Sequence, residues 1–155
     1  MAMVISQEIR EILKKETTTK VLVTTNEKNQ IHAVVKNSLQ VYENDTLLYF
    51  ELLESSQANK NMVRSLWFDG SITFMIVGEN GESYQIKAKP VKSVVSGYLF
   101  QTYYKQIRDK LGDVDLAAVW ILEPQKIMNQ TFVVRRQEEE LNRPYFKHLD
   151  RLAKY

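Results

Sequence analysis

The stretch Ser55-Ser56-Gln57-Ala58-Asn59-Lys60-Asn61 gathers hydroxyls, amides and an ammonium at the head of a helical pattern. The first N–H groups of a helix lack intrahelical acceptors and sit at the positive end of its dipole, so such a start suits an anion such as a phosphate. Hydroxyls at Ser55 and Ser56 and the charge of Lys60 add charge-assisted bonds there. A simple serine N-cap, which stabilises a helix by about 1 kcal/mol, accounts for the same hydroxyls without any ligand. A second polar set, Lys36-Asn37-Ser38, interrupts an alternating strand, and its plain reading is a bulge.

Other chemistries find no constellation. His32 and His148 lie far apart, with no carboxylate spaced for metal binding or a triad. The chain has no cysteine, which removes disulfides, thiolate metal sites and a thiol nucleophile and fits a reducing cytoplasm. No glycine-rich phosphate loop occurs, and Glu138, Glu139 and Glu140 read as a solvated charge run. Trp67 and Trp120 offer faces for stacking, but both lie in apolar runs and are expected in the core.

Those residues must be positioned by a chain of 155 residues, the size of one domain, with a net charge of +2 spread along its length. Nucleic acid is a poor partner for such a distribution. Glu8 and Arg10 come too early for a signal-peptide core and no apolar run is long enough for a span, so the expected location is cytoplasmic, away from membranes. Ile5, Ile9, Ile12 and Leu13 share one face of a short amphipathic helix. Residues 21–25 and 30–36 read as a hairpin turned at Asn26, Glu27, Lys28 and Asn29, and residues 39–42 and 46–52 as a second pair. Over residues 56–67 the period becomes helical, with Ala58, Met62, Val63, Leu66 and Trp67 on one face. Residues 71–77 form an apolar strand expected to be buried on both faces. Tyr84, Ile86 and Ala88 then alternate with Gln85, Lys87 and Lys89, until Pro90 marks an edge or a bulge. Ser96 caps a helix with a Phe100, Tyr103, Tyr104, Ile107 and Leu111 stripe that stops at Gly112. Residues 117–122 are a last buried strand, bent at Pro124 and continued by residues 127–134. A helical tail follows, in which Tyr145, Leu149 and Leu152 form an apolar stripe. It is expected to pack on its own domain, or to cover a cleft or a neighbouring subunit.

This order of elements is similar to that of the split-barrel flavoproteins related to pyridoxamine 5'-phosphate oxidase. Lys36-Asn37-Ser38-Leu39-Gln40-Val41, an acidic turn, an apolar strand, the 55–64 junction and a buried strand at 72–77 resemble the small FMN-binding proteins of that family. The likeness covers residues 5–132. It implies an α+β fold, an antiparallel split β-barrel with flanking helices over residues 1–135, with the tail at 136–155. It also implies FMN as cofactor, a homodimer with its clefts between subunits, and a role as flavin-dependent oxidoreductase or electron carrier acting on a small-molecule substrate or reductant. A flavin performs the redox chemistry itself, so no acid or base is required of the chain. The residues matching the cofactor site are Lys36, Asn37, Ser38, Ser55, Ser56, Gln57, Lys60 and Asn61, with Asn37 and Ser38 addressing the ring edge and the 55–61 junction the phosphate.

Two departures bear on that assignment. Relatives place a Lys or Arg followed by a Thr or Ser at the junction, where this chain has Gln57 and Ala58, and Val34 and Val35 replace hydroxyl or amide side chains. Lys60, Arg64, Ser55 and Ser56 are the groups left to compensate. The alternative is a non-catalytic split barrel that holds another planar ligand, haem or a deazaflavin. A structural or regulatory interaction protein is the third reading, with the Lys87, Lys89 and Lys92 alternation in its favour.

Overall fold

Residues 3–143 are described in the computed structural model. Ser6 opens helix α1 (Gln7–Lys14) by accepting the Ile9 N–H on its hydroxyl, and Ile9, Ile12 and Leu13 bury its inner face. Seven strands follow: β1 (Thr19–Thr25), β2 (Ile31–Val35), β3 (Gln40–Tyr42), β4 (Thr46–Glu51), β5 (Ile72–Val77), β6 (Ser83–Val94) and β7 (Ala118–Asn129). Helix α2 (Gln57–Trp67) separates β4 from β5, α3 (Gly97–Leu111) separates β6 from β7, and α4 (Phe132–Asn142) ends the described chain. The strands form one antiparallel sheet in the order β2-β1-β5-β6-β7-β4-β3. It is an open barrel whose two edges, β2 and β3, are consecutive in the chain.

The barrel interior takes alternate residues of each strand. Leu22, Leu47, Tyr49, Phe74, Ile76, Ile86, Trp120 and Leu122 are fully buried there, with Ala58 and Met62 of α2 and the inner face of α1. A second core lies under α3, where Ile107 meets Leu48, Val119 and Ile121 on the other face of β4 and β7. The strand at 118–122 is therefore buried on both faces, as its unbroken apolar run predicts. Pro90 lies in a central strand at a register shift rather than at an edge, and the bulge spares β6 the ladder bond that proline cannot donate.

Three expectations are corrected. Residues 71–77 are not buried on both faces: Ile72, Phe74 and Ile76 point inward, while Thr73 and Met75 are half-buried and Val77 is exposed. Trp67 is 78% exposed, because the buried side of α2 runs through Ala58, Asn61, Met62 and Ser65 and leaves the helix end outside it. Residues 132–134 do not extend the last strand. The β6–β7 register runs out at Tyr84 and Asn129, the Gln130 N–H donates once more to the Ser83 carbonyl, and Thr131 closes the ladder by taking the Ser83 N–H on its hydroxyl. The β-branched pair Val133-Val134 then has no strand to pair with and joins α4, supported by Arg135–Glu138 and Arg136–Glu140 ion pairs. Tyr145, His148, Leu149 and Leu152 lie outside the described residues.

The gap between the edges is bridged by a buried cation. The Lys20 ammonium donates to the carbonyls of Leu13 (2.8 Å), Asn37 (3.1 Å) and Leu39 (2.8 Å), tying the end of α1 to the crossing from β2 to β3. Burial pulls its pKa from the ordinary 10.5 down to about 8, and the charge of Lys110 acts in the same direction. Between these two values the unfolded chain holds a proton that the folded chain has released. The Lys20 contribution to stability therefore rises as pH increases through that window and is least favourable below it. Lys20→Met should abolish this slope, so wild type should gain on the variant by up to about 1.4 kcal/mol per pH unit in urea unfolding. Tyr84, pushed up to about 12 by burial and by its bond to Glu8, opposes this above its ordinary range and cancels in the comparison. A constant difference between the two proteins across the window would show that Lys20 does not titrate there.

Candidate functional site

Ser56 is the N-cap of α2. Its hydroxyl accepts the Asn59 N–H (3.1 Å) and donates to Glu51 Oε1 (3.1 Å). Glu51, at the end of β4, is fully buried; its Oε2 accepts from Lys36 Nζ at 2.8 Å and from the Leu53 N–H at 3.2 Å. A hydroxyl, an ammonium and a backbone N–H thus converge beside the first turn of α2, in the kind of cradle that binds oxyanions. The oxyanion they bind is the chain's own carboxylate. Its charge, after burial itself, also drives the pKa of the nearby Tyr49 phenol well above the ordinary value.

The remaining candidate residues go to different places. Gln57 donates to Asn61 Oδ1 (2.8 Å), and buried Asn61 donates to Thr24 Oγ1 (3.0 Å), so this pair fastens α2 to β1. Asn37 Oδ1 accepts the Lys20 N–H at 3.0 Å, taking over the ladder where β2 stops, and Ser38 Oγ accepts the Phe50 N–H at 2.9 Å. These are bulge contacts. Asn37 and Ser38 also line an open cleft of about 610 Å³ between the ends of α1 and α3, rimmed by Lys14, Lys15 and Lys110. Lys60 is exposed, as is Ser55, which lines a shallow cavity carrying the carboxylates of Glu54 and Asp115. Of the eight candidates, Lys36 and Ser56 meet at one point, and the other six do not join them.

Sequence reasoning missed Glu51, Thr24 and Asn59, whose Oδ1 accepts the buried Trp120 indole N–H at 3.0 Å. For Glu51 a signal existed. Leu47 and Tyr49 face the barrel interior, so the period-two pattern carries position 51 inward as well, and an acid in an inward register requires a partner.

A phosphate dianion does not fit this cradle as it stands. Its donors are committed to Glu51, Gln57 and Ala58 bring no charge, and Arg64 lies further along α2 over the Phe68 ring.

The other candidate surface is the outer face of the sheet. Val35, Val21, Met75, Gln85 and Met128 stand in one row across five strands, and Ala33, Val23, Thr73, Lys87 and Lys126 in the next. With Ile31 (75% exposed), Val35 (53%) and Val77 (39%), the end formed by β2, β1 and β5 is rich in apolar side chains, with Thr19, Thr25 and Thr73 among them. On β1 the usual arrangement is inverted, since Lys20 and Thr24 are buried while Val21 and Val23 face outward.

No protein-family model matches the sequence, and no curated protein is detectably similar to it. Solved structures do share the fold. HupZ from Group A Streptococcus aligns with a TM-score of 0.68 at 19% identity, over 83% of this chain and 96% of that one. An FMN-binding protein from Syntrophomonas wolfei subsp. wolfei gives 0.63 at 15% identity, over 79% and 84%. HutZ, the haem storage protein from Vibrio cholerae, gives 0.57 at 13% identity, over 82% and 95%. The α+β split-barrel fold expected from the sequence is the fold observed.

The buried pair makes a direct prediction. Lys36→Met leaves the buried Glu51 carboxyl with two neutral donors and no cation, and should cost about 3 kcal/mol of stability. Adding Glu51→Leu should restore a large part of that loss, giving a coupling of about 2 kcal/mol in a double-mutant cycle. Additive effects in urea unfolding would show that the two groups act independently.

Proposed function

We propose that the chain is a homodimeric split-barrel protein that binds a planar conjugated cofactor of the flavin class and acts as a flavin-dependent oxidoreductase or electron carrier on a small substrate. The observation that carries the reading is the apolar outer face of β2, β1 and β5. Exposed Val35 and Val77 beside half-buried Val21, Val23 and Met75, with a lysine and a threonine turned inward, make a surface suited to cover by a second apolar surface. A second copy covering this face would complete a slot for a flat ring in which water is excluded. The fold is shared with a protein described as FMN-binding and with a haem storage protein, and both rings are flat and largely apolar.

A bound flavin supplies hydride and single-electron transfer. The chain's part is then to seat the ring, direct polar groups to its edge and restrict access. Asn37 and Ser38 are proposed for the ring edge and the 55–61 junction for the ligand's polar end. A second reading, a non-catalytic module for haem or another planar ligand, is favoured by the commitment of the cradle to Glu51. No helix among the described residues is long and apolar enough to cross a membrane.

Light scattering at micromolar concentration should find a dimer, and Val21→Lys with Met75→Lys should yield a monomer. The absorbance spectrum of protein purified from cells separates flavin from haem. Titration with riboflavin, FMN or haemin should then raise the melting temperature, since a ligand at a hundredfold its Kd adds about 2.7 kcal/mol to the native state. A colourless monomer with no shift for any of the three would refute the reading.

A further inference from the structure

The geometry points to Glu51 as a resident anion that fills the cradle at the start of α2, so that a flavin gains no affinity from a phosphate at that position, and riboflavin and FMN bind alike. The inference deepens the planar-ligand reading and rests on it for the identity of the ring, but the occupied cradle stands on its own geometry.

Three donors of different kinds meet Glu51, namely the Lys36 ammonium at 2.8 Å, the Ser56 hydroxyl at 3.1 Å and the Leu53 N–H at 3.2 Å. Two of them, Lys36 and Ser56, are groups a ligand phosphate would need. A phosphate could reach them only by sitting against a buried carboxylate of the same charge, or by displacing that carboxylate into a barrel interior that offers it apolar side chains. No charge on the first turn of α2 offsets the carboxylate at short range, because Gln57, Ala58 and Asn59 are neutral and Lys60 is turned to solvent. The cavity beside Ser55 adds Glu54 and Asp115, two further carboxylates. The arrangement also gives Glu51 a second duty, because the carboxylate that excludes phosphate is the one that joins the end of β2 to the start of α2.

The test compares wild type with Glu51→Gln, which keeps the shape and removes the charge. Fluorescence quenching of riboflavin and FMN should give wild-type affinities within about threefold of one another, whereas the variant should favour FMN by about tenfold or more, the worth of one charge-assisted contact. In parallel, inorganic phosphate against chloride at matched ionic strength should give a saturable rise in melting temperature for the variant and none for wild type. Wild type that binds FMN more than about threefold tighter than riboflavin, or that gains the phosphate-dependent rise, overturns the inference. So does a folded variant that gains neither. If no flavin binds either protein, the planar-ligand reading fails while the inorganic phosphate arm still decides the role of Glu51. Should the variant not fold, the wild-type FMN-to-riboflavin ratio and phosphate response decide it alone.

Discussion

The ion pair between Lys36 and Glu51 acts where the sheet cannot hold itself. β2 and β3 are the outer edges of an open barrel and follow one another in the chain, so residues 36–39 cross the gap with no continuous ladder beneath them. Side chains replace the ladder. Asn37 accepts from the Lys20 backbone, Ser38 from that of Phe50, and the Lys20 ammonium gathers three carbonyls. The Lys36 charge then reaches across to the end of β4. Buried charges are costly alone and tolerable when every donor and acceptor is met. Here Lys20 spends its three protons on carbonyls, and Glu51 has three donors. What these groups supply is specificity of position at the seam, since an apolar contact would tolerate the sliding that a fixed set of polar partners forbids.

The same seam explains why the two sides of the sheet differ. On the β7 and β4 side, α3 lies over the outer face, and Val119 and Ile121 are buried against it. On the β2, β1 and β5 side no described helix lies over the outer face, and Val21, Val23, Val35, Met75 and Val77 are left half-buried or exposed. Polar residues on β1 turn inward because the seam needs Lys20 and α2 needs Thr24 as the partner of Asn61. With alternation fixed by the pleat, turning those residues in turns the valines out. An apolar outer surface is thus a structural consequence of closing the barrel edge with polar groups, and a partner surface can then exploit it.

Much of the fold was legible because its signals are local. The α1 face from Ile5 to Leu13, the clean alternation at Tyr84, Ile86 and Ala88, and the stop at Gly112, which adopts a left-handed φ of +84°, each follow from period and backbone freedom. The failures share a cause. At Trp67, residues 71–77 and residues 132–134 the local signal is apolar, and in each case a partner remote in sequence decides the outcome: the face α2 already buries, the lack of a described helix over the outer face of β5, and the end of β6. The candidate site was legible only in outline. Ser56 belongs to the junction read as suited to an anion and Lys36 to the residues matching the cofactor site, but their common partner Glu51 is remote from Lys36 in sequence and hidden in an apolar strand.

That omission bears on how far a fold can speak for a ligand. The split barrel is shared by a protein described as FMN-binding and by a haem storage protein, so the backbone leaves the choice of ligand to side chains. Two features of this chain act at the start of α2 in the same direction. Gln57 brings no charge to the first turn, and Glu51 places an anion behind Ser56. A missing cation alone leaves a weak anion site that Lys60 could still serve by reaching back from the helix surface. An added carboxylate alone could be outweighed by a cation beside it. Together they lower the attraction for a phosphate and consume the donors that remain, while the apolar surface suited to a flat ring, on the outer face of β2, β1 and β5, is built from residues that take no part in the change. Under the proposed flavin reading, affinity for a ring and affinity for its phosphate would be separable, and the side chains around Glu51 would set the second without touching the first.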